Sequence, residues 1–151
     1  MKFEKTPTVP TAEELLDRSL RRAAKKMKEK RNKDRANEEF VRAITQALHD
    51  KLVSILQKFP EIDDLSPFYR DMLEILCGVD RVKKSLGAVG WAAKSTAQIG
   101  YAEARTMRRA EESLAVRKRA VARLSSIVHQ IDGDLHFLNE VRNTMRKLPD
   151  I

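Results

Sequence analysis

The chain has little of what disulfide-stabilised, secreted or membrane proteins require. It has one cysteine, five glycines and five prolines in 151 residues, and only 5% of its residues are aromatic. The single cysteine, Cys77, cannot form an internal disulfide, so we expect a packed thiol. No apolar run approaches the ~20 residues that a membrane-spanning helix needs, and the amino terminus lacks the apolar core of a signal peptide. These absences predict a cytoplasmic chain with no membrane partner.

The patterns of catalytic and metal-binding sites are also missing. A phosphate loop needs two glycines at a set spacing before Lys-Ser/Thr, and the nearest approach, Gly87–Ser95, has the wrong glycine spacing. The three histidines stand apart, without cysteine or carboxylate at metal-ligand spacing. The acidic residues between Glu61 and Asp64 lack a nucleophile or base nearby, and turn chemistry explains them better. We expect no catalytic, cofactor-binding or metal-binding site in this chain.

What remains is a chain rich in helix formers, with 34% charged residues. Apolar residues recur every three to four positions through most of it, which is typical of amphipathic helices. Long helices joined by short turns pack antiparallel to their neighbours. The sequence therefore predicts an all-α fold, a single domain over 1–151, built as an antiparallel up-and-down helical bundle of long helices with one short helix at a corner.

Local signals give the expected helix boundaries. Thr11 and Glu14 have the spacing of a capping box, and Ser66 precedes Pro67 as a helix cap precedes a first-turn proline. Gly78 is the expected end of the short helix and Asp80 the expected cap of the next. The predicted helices run from Thr11 to about Arg31, Asn37 to Lys58, Ser66 to Cys77, Asp80 to Arg109, from beyond Glu111 to Asp132, and from Asp134 to Lys147. The short segment 32–37 is left open as a hinge or a continuous helix.

Two stretches carry specific packing expectations. At the corner, Phe59 and Phe68 are expected to fill the core, and Phe68, Met72, Ile75 and Leu76 recur at helical spacing as an apolar face. In the long helix after Asp80, one stripe consists mostly of glycine and alanine: Leu86, Gly90, Ala93, Ala97, Gly100, Ala104 and Met107. Small residues let two helices approach closely, so this stripe is expected to face another long helix. Trp91 is interpreted as a packing anchor, or as a base-stacking residue if it is exposed.

Positive charge is concentrated in two segments. Segment 18–35 has ten basic and two acidic residues, and its net charge of +8 equals that of the whole chain. Segment 105–123 has seven basic and two acidic residues. One alternative interpretation of such a segment is a helix face that is simply exposed to solvent. Binding to a membrane surface is a second alternative, and it is disfavoured because the first helix lacks a bulky aromatic face. Such concentrations attract phosphate backbones. The candidate RNA contacts are Lys25, Lys26, Lys83, Lys84, Arg108, Arg109, Arg117, Lys118, Arg119 and Arg123.

Several short blocks, in the same order, give the chain a family resemblance. They are Pro7-Thr8, Leu15-Leu16-Asp17, Phe59-Pro60, Pro67-Phe68-Tyr69-Arg70-Asp71, Lys84-Ser85-Leu86, Arg119-Ala120 with Ile127-Val128, Leu138 to Arg142, and Lys147 to Ile151. Together they resemble the amino-terminal helical domain of the nucleolar GTP-binding protein 1 family, which comprises Obg-related GTPases. The compact start and the short lysine-rich connector look more like the archaeal branch than the eukaryotic one.

The resemblance implies that this domain is part of a larger protein. In this family a GTPase domain follows the segment that matches Lys147–Ile151, so GTP and magnesium are expected in that domain and not in this chain. The family acts in large ribosomal subunit assembly, and the resemblance implies docking on the ribosomal RNA of the immature subunit, with ribosomal proteins or assembly factors as further partners. It also implies a nucleolar location if the source is eukaryotic. The chain is expected to be an excised domain, or else a natural stand-alone copy.

One alternative function stays open. The bundle would then be a protein-interaction or regulatory module that contacts its own GTPase domain or ribosomal proteins, with the basic residues serving solubility. It predicts an exposed apolar patch and binding that is insensitive to salt. An independent enzyme is disfavoured, because no catalytic constellation is visible.

Overall fold

A computed structural model describes residues 3–29, 35–107 and 113–149, and all regular secondary structure in these ranges is helical. The α-helices are α1 (Ala12–Glu29), α2 (Ala36–Lys58), α3 (Pro67–Leu76), α4 (Val79–Thr106), α5 (Ser113–Gln130) and α6 (Asp132–Arg146). A 3-10 turn, Ile62–Asp64, precedes α3. The predicted all-α fold is confirmed.

The helices form a four-column antiparallel bundle. α2 and α4 make the central pair; α1 packs on α2 and α5, and α4 packs on α5 and α6. The last two helices lie one after the other along α4, since Arg119 of α5 contacts Glu103 while Asp134 of α6 accepts a hydrogen bond from Ser85. The short helix α3 lies at one end, against α4. This is the expected bundle with a short helix at a corner.

The segment before α1 closes the α3 end of the bundle. The ring of Phe3 packs edge-on against Phe59, with 5.5 Å between the ring centroids. The backbone of Val9 donates to Asn139 of α6, and Arg142 donates to the carbonyl of Thr6, both at 2.9 Å. Phe59 is buried, as predicted, and the edge-on geometry is one that aromatic pairs favour.

Two predicted helix starts are confirmed in position. The Thr11 hydroxyl accepts from the Glu14 backbone and the Glu14 carboxylate accepts from the Thr11 backbone, both at 3.2 Å. The backbone hydrogen bond from Thr11 lowers the pKa of Glu14. Ser66 stands at the N-cap position with Pro67 in the first turn, but the Ser66 side chain makes no capping hydrogen bond.

Two boundary predictions were wrong by one or two residues. Asp80 was expected to cap α4, but that helix starts at Val79 and its cap position is Gly78. Gly78 has φ of +89°, a conformation that only glycine adopts cheaply, so one residue both ends α3 and starts α4. The break expected at Asp132–Asp134 lies at Ile131, because α6 already begins at Asp132. Ile131 is buried, so the apolar seam continues through the break.

The expected apolar face of α3 is also wrong. Ile75 is 75% exposed and Leu76 is 47% exposed, whereas Leu73 is fully buried. A ten-residue helix at the end of a bundle is covered along one side only, here by α4 and its neighbours. Leu73 takes that side, with Tyr69 and Cys77 packed against the same core. Phe68 was expected to fill the core, but it is only half-buried, because it lies about 140° from Leu73 around the helix.

The close approach expected of the small-residue stripe occurs at Gly100. A Cβ atom on Gly100 would lie 2.6 Å from Cγ2 and 2.8 Å from Cβ of Thr45, which is closer than real Cβ atoms come. The Thr45 hydroxyl itself donates to the Val41 carbonyl within α2. At Gly90 a Cβ would make an ordinary contact with Leu56, and at Gly87 it would meet nothing within 4 Å. Helix packing therefore requires glycine at position 100 alone.

We expect Gly100→Ala to destabilise the bundle and Gly87→Ala to stabilise it. Overpacking costs ~1–3 kcal/mol, which equals or exceeds the ~1 kcal/mol that alanine gains over glycine inside a helix. Gly87→Ala keeps only that gain, because its Cβ enters open space. Urea denaturation followed by circular dichroism measures both. Equal free energies of unfolding for the two variants would contradict the close approach of α2 and α4.

Candidate functional site

A buried carboxylate organises the basic surface between α4 and α5. Glu103 of α4 accepts hydrogen bonds from Nε and Nη2 of Arg119 at 3.0 and 2.8 Å, and from Nη1 of Arg123 at 2.7 Å. The two arginines lie four residues apart on α5, so they project from the same side of that helix. One carboxylate thus holds two cations that would otherwise repel each other.

Glu103 holds Arg119 and Arg123 in place but accepts only some of their N–H donors. Burial alone raises the pKa of Glu103, but the hydrogen bonds and charges of Arg119 and Arg123 outweigh it, and the pKa lies below the ordinary carboxyl value. A guanidinium has five N–H donors, and Glu103 takes two from Arg119 and one from Arg123. Both arginine side chains are more than half exposed. Donors therefore remain for a phosphate.

Arg117 has a different role from its neighbours. Its guanidinium lies 3.9 Å from the centroid of the Phe40 ring, and Nη1 donates to Asn37 at 3.1 Å and contacts the sulfur of Met27 at 3.7 Å. It is half-buried where α1, α2 and α5 meet. The structure thus uses this predicted RNA contact to join three helices.

The predicted lysines fall into two groups. Four of them, Lys25, Lys26, Lys84 and Lys118, are exposed and have no ion pair within the described ranges. Lys83 instead bonds to Asp63 at 2.9 Å, and Arg70 reaches the same oxygen at 3.0 Å. The hydrogen bond from Lys83, followed by that from Arg70, lowers the pKa of Asp63. Arg108 and Arg109 lie outside the described residues.

Most exposed cations of the described residues lie on α1, α4 and α5. α5 packs against both α1 and α4, so Lys118, Arg119 and Arg123 lie between the cations of α1 and those of α4. Leaving out Arg18, Arg21, Arg81 and Lys83, whose side chains contact Glu14, Asp17, Phe137 and Asp63, we call the exposed basic residues of these three helices the basic face: Arg22, Lys25, Lys26, Lys28, Lys84, Lys94, Arg105, Lys118, Arg119 and Arg123. The basic face can attract an extended polyanion.

A groove over α2 adjoins the basic face, with which it shares Lys26. It has a volume of about 610 Å³, and its charge is mixed. Its lining residues are Lys26, Glu29, Glu39, Arg42, Ala43, Gln46 and Tyr101. Because acidic and basic side chains alternate there, the groove offers a polyanion no continuous positive surface.

Two residues of this surface were missed or misread from the sequence. Glu103 was not singled out, although it is the only carboxylate between Lys83 and Thr106. The isolation of this carboxylate in so basic a stretch could have indicated that it pairs with basic residues. Trp91 was interpreted as a packing anchor, but it is 47% exposed. Its spacing of seven residues from Lys84 and three from Lys94 places all three on one helix face, which could have indicated exposure.

Neither a metal site nor a membrane span is found in the part of the chain that the structure describes. In residues 3–29, 35–107 and 113–149, no three His, Cys, Asp or Glu side chains are grouped so that they could hold a metal ion. No helix within the same ranges is both long and apolar enough to cross a bilayer.

Comparison with known proteins identifies the family of the chain. Residues 3–151 match the model of the NOG1 N-terminal helical domain. The chain belongs to this family. The expected family membership is thereby confirmed, and the four-column bundle described above is the structure of its NOG1 N-terminal helical domain.

Relatives of this NOG1 domain are longer proteins. The chain is 34% identical over 158 residues to an uncharacterized protein of Methanocaldococcus jannaschii, a match over 97% of this chain and 45% of that protein. It is 27% identical over 159 residues to nucleolar GTP-binding protein 1 of Drosophila melanogaster, and 28% identical to that of Caenorhabditis elegans. It covers 24% and 23% of their lengths. The chain thus spans less than half the length of these relatives.

Replacing Glu103 by glutamine tests the two-arginine arrangement. We expect Glu103→Gln to lower the free energy of unfolding at neutral pH by roughly 1–3 kcal/mol, because it removes charge-assisted hydrogen bonds from a buried site. The pKa of Glu103 is depressed in the folded state, so its stabilisation is present above the ordinary carboxyl pKa and is lost as the pH falls through the folded value. Urea denaturation of wild type and variant across acidic pH checks this.

The matched control is Asp63→Asn, since Asp63 also binds two cations but is exposed. We expect a smaller effect from Asp63→Asn than from Glu103→Gln, because exposed ion pairs contribute little. Equal losses of stability in the two variants, or a stability difference between Glu103→Gln and wild type that does not shrink at acidic pH, would contradict the role assigned to Glu103.

Proposed function

We propose that this chain is the RNA-docking helical domain of a GTP-binding ribosome assembly factor, and that its basic face contacts ribosomal RNA of the immature large subunit. The GTPase activity would belong to a further domain of a longer protein. The observation that carries the proposal is the set of exposed cations on α1, α4 and α5, combined with membership of the NOG1 N-terminal helical domain family.

The chemistry of the basic face suits folded RNA. Lys25, Lys84 and Lys118 are exposed point charges on three adjacent columns, and Arg119 and Arg123 are held in place by Glu103. Rigid cations on helices suit recognition of RNA by shape and phosphate position. Arginine also provides planar donors that match phosphate oxygens. A membrane surface fits less well, because the exposed face of α1 has no aromatic residue to insert between lipids.

The names of the relatives support the cellular context. The proteins of Drosophila melanogaster and Caenorhabditis elegans are named nucleolar GTP-binding proteins. The nucleolus is where ribosomal subunits begin assembly in eukaryotes. We extend this context to the present chain as part of the proposal, with the immature large subunit as the particle.

Neutralising the free lysines should weaken RNA binding while sparing the fold. We expect the quadruple variant Lys25→Gln, Lys26→Gln, Lys84→Gln, Lys118→Gln to bind deproteinised large-subunit ribosomal RNA less tightly. Removing one phosphate contact should reduce the slope of log K against log salt by roughly 0.7–0.9. Fluorescence anisotropy over a salt series measures both the affinity and the slope. None of the four lysines has an ion pair in the described structure, so circular dichroism should show an unchanged melt.

A control with nearly the same charge change is Lys5→Gln, Lys51→Gln, Lys58→Gln. These lysines are exposed but lie on the amino-terminal segment and on α2. The control should retain the salt slope of the wild type. If both variants weaken binding alike, net charge and not the basic face is responsible, and the proposed docking surface is wrong.

A second candidate function rests on α3. Ile75 and Leu76 are exposed neighbours on this helix, which is the kind of apolar patch that a protein partner covers. The candidate partner is the GTPase domain of the longer protein, so the bundle would dock on its own G domain. This function does not exclude the first, because α3 lies at the end of the bundle and contributes nothing to the basic face.

We expect the double variant Ile75→Asp, Leu76→Asp to weaken association with the separately purified GTPase domain by roughly tenfold or more, from the apolar area that is no longer buried. Isothermal titration calorimetry at low and physiological salt measures it, and the wild-type affinity should change little with salt. Leu114→Asp is the control, since Leu114 is 51% exposed but belongs to α5. No detectable association of the wild-type domains would remove this second function.

A further inference from the structure

The outward side of α4 is a distinct surface that helix packing leaves free. Its exposed residues recur at three- to four-residue intervals, and we call them the outer stripe: Lys84, Gly87, Trp91, Lys94, Gln98, Ala102 and Arg105. The sides of α4 that pack are occupied by other residues. Gly100 faces α2, and Ser85 and Glu103 face α6 and α5. The outer stripe therefore has no structural role in the bundle.

The outer stripe has an uncompensated positive charge along its own helix. Between Lys83 and Thr106 the only carboxylate is Glu103, which is 6% exposed and is neutralised by Arg119 and Arg123. Lys84, Lys94 and Arg105 thus have no exposed acidic neighbour on this stretch of α4. A ligand that covers the stripe must supply negative charge.

At the centre of this stripe is a large aromatic ring without a partner. Trp91 is 47% exposed, and no aromatic or cation–π pair in the described ranges includes it. A helical side chain leans over the turn that precedes it, which here contains Gly87 and Ala88. Gly87 has no side chain, and even a Cβ at that position would meet nothing within 4 Å. The indole is therefore accessible from the side where a neighbouring side chain would normally cover it.

The spacing of the lysines fits a nucleotide centred on the ring. At 1.5 Å of rise per residue, Lys84 and Lys94 lie about 10 Å and 5 Å along the helix axis from Trp91, on opposite sides of it. Stacking of a base on an aromatic ring combined with cations on the flanking phosphates is how proteins bind unpaired nucleotides. An acidic protein segment would satisfy the charges but not the ring, which prefers a flat apolar partner.

We propose that Trp91 stacks on one unpaired base of RNA, and that Lys84 and Lys94 contact the phosphates on either side of it. The inference rests on the proposed function, because it assigns a base-stacking subsite to the basic face. It adds a preference that phosphate contacts alone lack: RNA with an unpaired loop should bind more tightly than a fully paired duplex.

The chain has a single tryptophan, so its fluorescence reports on this site alone. The test titrates the protein with an RNA hairpin that has an unpaired loop and with a blunt duplex of the same number of nucleotides. Quenching of Trp91 by the hairpin and not by the duplex is expected. Trp91→Ala should weaken hairpin binding roughly 5- to 100-fold, the range expected when one stacked base is removed, and should leave duplex binding unchanged. Trp91→Phe should retain most of the hairpin affinity.

The outcomes separate this inference from the proposed function. Hairpin binding that depends on Lys25, Lys84 and Lys118 but leaves Trp91 unquenched and is unaffected by Trp91→Ala overturns the stacking site alone. Equal weakening of hairpin and duplex by Trp91→Ala also overturns it, because stacking needs an unpaired base. Absence of binding to both RNAs and to large-subunit ribosomal RNA overturns the proposed function and the stacking site together. Circular dichroism should show the same helical content in Trp91→Ala as in wild type, so that a loss of hairpin binding is not a loss of fold.

Discussion

The contact of α2 with α4 at Thr45 and Gly100 is the constraint on which the rest of the bundle depends. It brings the two longest helices closer than side chains at position 100 would allow, so these helices form the centre. α1 packs against α2, and α5 and α6 pack against α4, with α5 also contacting α1 and α2. Because α4 is held by α2, α5 and α6, its remaining side faces solvent. One helix thus supplies a glycine for packing and, on its opposite side, the exposed Trp91.

Charge in this domain is organised by a few specific contacts and not only by composition. Glu103 converts two adjacent arginines, which repel each other, into a fixed pair that still has free donors. Arg117, only two residues from Arg119, is used inside the bundle against Phe40. Lys118 between them is exposed. Three consecutive basic residues therefore have three different environments, because successive positions of a helix point about 100° apart.

Most of the fold could be predicted because it depends on local chemistry. The capping box of Thr11 and Glu14, the positions of Ser66 and Pro67, and the burial of Phe59 follow from side chains a few residues apart. Predictions failed where two residues competed for one role. Gly78 took the cap position that Asp80 was expected to hold, since the turn needs positive φ. Leu73, and not Ile75 or Leu76, took the covered side of α3.

The sequence by itself determined the all-α class, the family, the positions of most helices and the two basic segments, since periodicity, capping residues and charge are local properties. Only the tertiary structure decided which cations face solvent and which are used internally, and that Trp91 is exposed. The physical reason is that helical spacing defines a residue's face relative to its own helix. Which faces are covered depends on where the neighbouring helices lie, and contacts such as those of Glu103 with Arg119 and of Arg117 with Phe40 join residues distant in sequence.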